Sequence, residues 1–337
     1  MSSKHSWLII MCSLGLFVLA LIDNNPAQLS LMTALSATIL FFDSKGRHIL
    51  GWAFVLIICV FSQWGIGQFI LQQDLGLRLI GESILGSSIN GVAKFGNGIV
   101  RGYGPFEHAN IFGGICLLAL IVVEPLLTYS RNTLIRNVII FTLGLGVFVS
   151  FSRAAILGWF VLALVVGILY RGRRHARTMG IIILLFMIVL WPLLLQRLND
   201  SRDVAVSERI RGYLWSAEIM KTHSAWYGLG LYNYKMELRN YLNDQAISYH
   251  PWEIDYVHSV PLMVMAQTGM LSGGMLIIAI LFWLVKILPG RAVIMMGSLL
   301  PVLSLDHFYI TQPVALMYLT LAVIILRSKK TNQIKCV

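Results

Sequence analysis

What most limits the fold of this chain is a series of apolar stretches without one charged side chain, such as residues 181–195 and 271–285. In water each stretch would have to be wrapped by other protein. About ten of them in 337 residues leave too little polar chain for the wrapping. Only 12% of the residues are charged, against roughly 25% in an ordinary soluble domain. A bilayer removes the problem, because its hydrocarbon solvates apolar side chains. It also demands that every backbone polar group be satisfied within the chain, which leaves helices as the spanning element for stretches of this length. The expected fold is therefore all-α: a polytopic transmembrane helix bundle of about ten helices, forming a single membrane domain over 1–337. The helices are expected near 7–22, 27–42, 49–70, 111–129, 137–151, 154–170, 178–195, 258–285, 292–310 and 313–326. The first apolar run ends in LIDNNP without a small-residue cleavage site and reads as a retained helix.

The net charge of +11 raises the question of nucleic acid, but the position of the charges argues against it. Fifteen of the 26 Lys and Arg fall in short loops and tails that alternate helices place on one side: Lys4; Lys45 and Arg47; Arg131 and Arg136; Arg171, Arg173, Arg174 and Arg177; Lys286 and Arg291; Arg327, Lys329, Lys330 and Lys335. By the positive-inside rule that side is cytoplasmic, which sets an N-in/C-in topology. The other eleven lie mostly in two long extracytoplasmic loops, 71–110 and 196–257. The first is Gly-rich and interspersed with apolar residues. The second has helical character: in SERIRGYLWSAEIM, Ile210, Leu214 and Ala217 share a face, and a polar helix follows near residues 234–243.

Several kinds of chemistry are excluded. Cys12, Cys59 and Cys116 lie in apolar runs and Cys336 in the tail, so no disulfide framework follows. No cluster has metal-ligand spacing, and no Walker loop or GxSxG elbow occurs. The run GNGIVRG has no strand–helix unit around it and reads as a plain loop. Polar residues at the outer ends of different helices remain. Arg101 and GPFEHAN lead into the fourth helix, with His108 and Asn110 at its mouth. Arg153 stands in the tight turn SFSRAA, Arg211 in the second long loop, and His258 where that loop re-enters the membrane. Asp306 and His307 close the ninth helix. The same charge count that fixes topology places all of these groups on one side. Each also has a plainer reading: Arg153 as an interfacial anchor, His108 or Asn110 as a helix cap, Trp215, Trp226 and Trp252 as interfacial aromatics. Glu124 lies toward the inner end of its helix and reads as a partner for Arg131 or Arg136.

At these residues the chain resembles the O-antigen ligase and O-antigen polymerase superfamily. The matching stretches are RGYGPFEHANIFGG, VSFSRAAILGWF, RIRGYLW followed by GLGLYNY, and VHSVPLMVMAQTGMLSGG, within a motif-bearing region of 95–310. Ala109, Ala154 and Ser259 stand where the family pattern has Pro, Gly and Asn. The resemblance implies a glycosyltransferase of the bacterial cytoplasmic (inner) membrane with its active site facing the periplasm or exterior. The donor would be a glycan on an undecaprenyl-diphosphate carrier. The acceptor would be a hydroxyl on a glycan, on lipid A-core or on a protein. Nucleotide, cofactor and metal are not needed. Arg101, Arg153 and Arg211 would hold the diphosphate, since guanidinium forks bind phosphate oxygens bidentately. His258 would be the general base, a role worth roughly 10²–10⁴-fold. His108, Asn110, Asp306 and His307 would support the site or touch sugar. Two rival readings are a transporter or flippase of lipid-linked sugars, which calls for polar groups at mid-membrane, and a non-enzymatic scaffold of a polysaccharide assembly complex.

Overall fold

The computed structural model describes residues 44–327 apart from 90–91, 96–97, 129–131, 171–173, 199–204, 224–225, 231–232, 251–252. The helices expected at 7–22 and 27–42, Trp252 and the C-terminal tail lie outside the described residues, as do residues 171–173 of the basic 171–177 run. The rest is mostly helical. In order come α1 (Ser44–Leu71), a short hairpin of β1 (Lys94–Phe95) and β2 (Ile99–Val100), then α2 (Ala109–Thr128), α3 (Thr133–Val149), α4 (Arg153–Leu169) and α5 (Arg174–Leu198). They are followed by α6 (Ala205–Lys221), α7 (Tyr234–Asp244), α8 (Val260–Thr268) and α9 (Met270–Ile287). Short pieces close the chain: α10 (Gly290–Met296), α11 (Leu300–Leu305), α12 (Phe308–Thr311) and α13 (Pro313–Leu326). Two compact units result. One holds α1 to α5 with residues 288–302, and the other holds α6 to α9 with residues 303–321.

Among the described residues three helices are long and apolar enough to cross a membrane: Gly46–Leu71, Ala109–Leu127 and Met270–Ile287. Shorter apolar helices cover Thr133–Val149, Arg153–Leu169, Arg177–Val189, Gly290–Leu305 and Ala315–Leu326. The long ones differ in environment. From Ile115 to Val123 every side chain of α2 is fully buried, so this helix is apolar all round because protein surrounds it. In α9 the opposite holds: Met270, Leu271, Met275, Ile278, Leu281, Phe282 and Val285 are all exposed, a surface suited to lipid and not to water.

Two expected helices are broken. The run expected at 258–285 divides at Gly269, whose φ of 102° ends α8 before α9 begins. The run expected at 292–310 becomes α10, a 3₁₀ turn at Gly297–Leu299, α11 and α12. The polar pair Asp306-His307 separates the last two. Apolar periodicity marks burial and gives no warning of such breaks. The first long loop is also more ordered than its Gly content suggests. The hairpin pairs Lys94 with Val100 and Phe95 with Ile99.

That loop is organised by two buried polar residues. Glu82 accepts hydrogen bonds from Trp64 Nε1 (2.8 Å), Gln68 Nε2 (2.8 Å), Leu75 N (2.8 Å) and Leu77 N (2.6 Å). Burial alone would raise its pKa, but these donors outweigh it and hold the carboxyl below the usual range. Gln68 in turn accepts from the backbone N–H groups of Tyr103 (3.0 Å) and Gly104 (2.8 Å). The end of α1 thus anchors the RGYG segment. Gly102 fits beside it because a side chain there would meet the Gly65 carbonyl at 2.7 Å.

Candidate active site

Arg101, Asn110 and the turn bearing Arg153 meet in the first unit. Arg101 is buried; its Nε donates to the Ser150 carbonyl (2.6 Å) and its Nη2 to Asn110 Oδ1 (2.5 Å). Ser150 ends α3, Phe151 takes a left-handed φ of 45°, and Ser152 caps α4 by accepting from Ala155 N (3.4 Å). Arg153 is then the first residue of α4. The left-handed residue is held by packing, since the Phe151 ring is buried against Phe95 and Phe69. Arg101 therefore braces the corner from which Arg153 projects, a role its sequence position alone does not reveal. His108 is exposed and accepts from Asn110 N through Nδ1 (3.1 Å), as its capping reading expects. Ala109 opens α2 at the position where Pro is favoured, and Ala is equally compatible with that first turn.

His258, Asp306 and His307 come together in the second unit. The Asp306 carboxyl stands 3.9 Å from His258 Nδ1 through Oδ1 and 3.7 Å from Arg209 Nη2 through Oδ2. Burial would raise its pKa, but the facing His258 ring, His307 and Arg209 outweigh that and hold it well below the carboxylate range. The His258 and His307 rings lie 5.0 Å apart. Burial pushes His307 toward its neutral form, against the pull of Asp306 and Asp255. On its far side His307 Nε2 faces Asp255 Oδ2 at 3.8 Å, and Asp255 pairs with Lys235 at 2.8 Å. Tyr213 donates to the His258 carbonyl (2.7 Å), which ties α6 to the start of α8.

Arg209 was not among the residues picked out from sequence. Arg209 and Arg211 are two apart on α6, so they point about 200° from one another and only one can face Asp306. Arg211 instead pairs with Glu253 at 2.5 Å and lies over the Trp215 ring at 5.8 Å. Ile210 and Leu214 are exposed, whereas Ser216 and Ile219 are buried. The packed side of α6 is the one where Ser216 and the Tyr234 hydroxyl form a hydrogen bond of 2.5 Å.

Ser259 caps α8 by accepting from Leu262 N (3.4 Å). Ser and Asn are both strong caps, so the departure from the family pattern keeps the local function. Ser259→Asn is expected to leave thermal stability unchanged. Ser259→Ala is expected to lower it by about 1 kcal/mol, read from unfolding midpoints of the two variants. At the other end of α8 the GLG turn docks: Leu229 N and Gly230 N donate to the Ala266 and Gln267 carbonyls, each at 2.9 Å. Gly228, at φ 58°, has no room for a side chain there, since a Cβ would lie 2.4 Å from Gly269 N.

No curated protein matches the chain. Residues 138–277 match the family model described as O-antigen ligase, a stretch that contains Arg153, Arg211 and His258. Arg101, Asp306 and His307 lie outside it. Through that segment, which includes apolar helices of membrane-spanning character, the chain is similar to the O-antigen ligase family.

Proposed function

We propose that the chain transfers a glycan from an undecaprenyl-diphosphate carrier to an acceptor hydroxyl at the outer face of the cytoplasmic membrane. The observation that supports this most is His258 beside a buried Asp306 carboxylate, at a position inside the family match. A carboxylate next to an imidazole stabilises the imidazolium that forms when the ring accepts a proton. In this reading His258 takes the proton of the acceptor hydroxyl. The hydroxyl oxygen bonds to the anomeric carbon as the bond from that carbon to the phosphate oxygen breaks. The lipid diphosphate leaves with its negative charge held by Arg101, Arg153 and Arg211. Preorganised guanidinium groups of this kind can contribute several kcal/mol in a partly dry site. Asp306 and Arg209 fix the His258 ring. His108, Asn110 and His307 support the site or contact sugar.

The reading assumes the ten-span, N-in/C-in arrangement, with both polar groups on the periplasmic side, as the Lys and Arg distribution supports. The test is transfer in vesicles from a purified lipid-linked donor. Arg153→Lys is expected to reduce the rate roughly tenfold, because Lys keeps the charge but loses the bidentate fork. A normal rate in that variant would remove Arg153 from phosphate recognition. Radiolabelled donor crossing the bilayer with no new glycosidic bond would replace transfer with transport. A deletion strain that loses capped lipid A-core, chain length or a protein glycan identifies the acceptor.

A further inference from the structure

His258, Asp306 and His307 are separated by up to 49 positions in the chain, yet a donor atom of each lies within 4.8 Å of the other two. Two imidazoles and one carboxylate form a donor set that suits borderline transition-metal ions. The hydrogen bonds show which atoms are available. His307 Nδ1 and the Thr311 hydroxyl form a hydrogen bond of 2.7 Å, and the same hydroxyl lies 3.3 Å from the His307 carbonyl. That bond engages Nδ1 and leaves Nε2 as the ring nitrogen open to an ion; with the ring hydrogen on Nδ1, Nε2 presents its lone pair. That Nε2 is buried without a hydrogen-bond partner, and so is His258 Nδ1. Asp306 faces Arg209 through Oδ2, while Oδ1 faces His258 and also accepts from the His307 backbone N–H (2.9 Å). Two buried ring nitrogens without a hydrogen-bond partner, with a carboxylate close by, suit a cation between them. A group that orients a ligating His through its other nitrogen, as Thr311 does here, is the usual support of a metal-bound imidazole.

The nearby charges select the kind of ion. Arg209 already offsets part of the Asp306 charge, and the other carboxylate near His307 Nε2, that of Asp255, is paired with Lys235. Mg²⁺ and Ca²⁺ prefer shells of oxygen ligands, which this place does not offer. Imidazole ligation favours Zn²⁺ and its spectroscopic substitute Co²⁺.

We propose that His258, Asp306 and His307 bind a divalent ion of the Zn²⁺ class, and that its binding withdraws His258 from proton transfer. The second half rests on the reading of His258 as the base; the first does not. Such an ion is an inhibitor of the transfer reaction and takes no part in it.

The test uses the purified full chain, without a polyhistidine tag, titrated with Co²⁺ in detergent micelles. Expected is a visible absorption band of a four- or five-coordinate ion, saturating at about one equivalent. Excess Zn²⁺ should abolish the band and Mg²⁺ should not. His307→Gln should remove it. Thr311→Val should weaken Co²⁺ binding roughly 10–100-fold, as loss of a supporting partner does. In the vesicle assay Zn²⁺ should slow transfer and a chelator restore it. No band at millimolar Co²⁺, or equal affinity in Thr311→Val and the unaltered chain, overturns the site. Thr311→Val leaves all three ligands in place, so the comparison holds even if His307→Gln does not fold. Transfer without Co²⁺ binding leaves the proposed function standing and sinks the metal site. Co²⁺ binding by a chain that transfers nothing does the reverse.

Discussion

Replacing His258 with alanine is expected to slow glycan transfer roughly 10²–10⁴-fold, with kcat and kcat/KM falling together. The shared fall is the informative part. Removal of a proton acceptor acts on the transition state, whereas loss of a donor-binding contact would raise KM with kcat unchanged. Asp306→Asn keeps the size of the side chain and removes the charge that faces His258 and Arg209. Its effect should appear in the same two parameters and be smaller. Full activity in His258→Ala would end the base assignment. Full activity in Asp306→Asn alone would limit Asp306 to pairing with Arg209. Single-turnover measurements with purified donor separate these outcomes from slow product release.

The second large effect is structural. Glu82→Ala is expected to lower stability by about 3 kcal/mol, since it leaves the Trp64 indole and the Leu75 and Leu77 amides without their acceptor. Thermal unfolding of the purified chain reads this directly. Because Gln68 is held by Glu82 and itself holds Tyr103 and Gly104, donor binding through Arg101 should weaken as well. The pH dependence has a definite sign. The folded-state pKa of Glu82 is lowered, so its contribution is fully present above the ordinary glutamate value of about 4.3. It is lost as the pH falls through the folded value. The alanine variant should show a shallower acid loss than the unaltered chain. Equal midpoints at neutral pH would show that water replaces Glu82 at no cost.

The helix positions from 49 onward were legible because apolar runs and polar loops alternate so sharply. The expected 111–129, 154–170 and 313–326 differ from the observed helices by at most two residues at either end. The breaks at Gly269 and around Asp306 were not legible, since burial continues through them and only backbone geometry changes. At the site the pattern picked out His258 and the Asp306-His307 pair from distant parts of the chain, and the structure brings their side chains together. It picked out Arg211 and passed over Arg209, because only the rotation of α6 decides which of the two faces Asp306. Glu82 and Gln68 were missed for a related reason. Their importance comes from backbone amides, and amides carry no signature in the sequence.

The contrast between α2 and α9 bears on how freely this chain can drift. A library randomised across α9 should retain most exchanges among Leu, Ile, Met and Phe at 271, 275, 278, 281 and 285, where the side chains are exposed. The same library over α2 should be nearly sterile. A side chain at Gly113 would place its Cβ 2.3 Å from Ser150 Oγ, inside the corner that Arg101 braces. Tolerance along the chain should thus follow neighbours and not hydropathy, with two equally apolar helices at opposite ends of the scale.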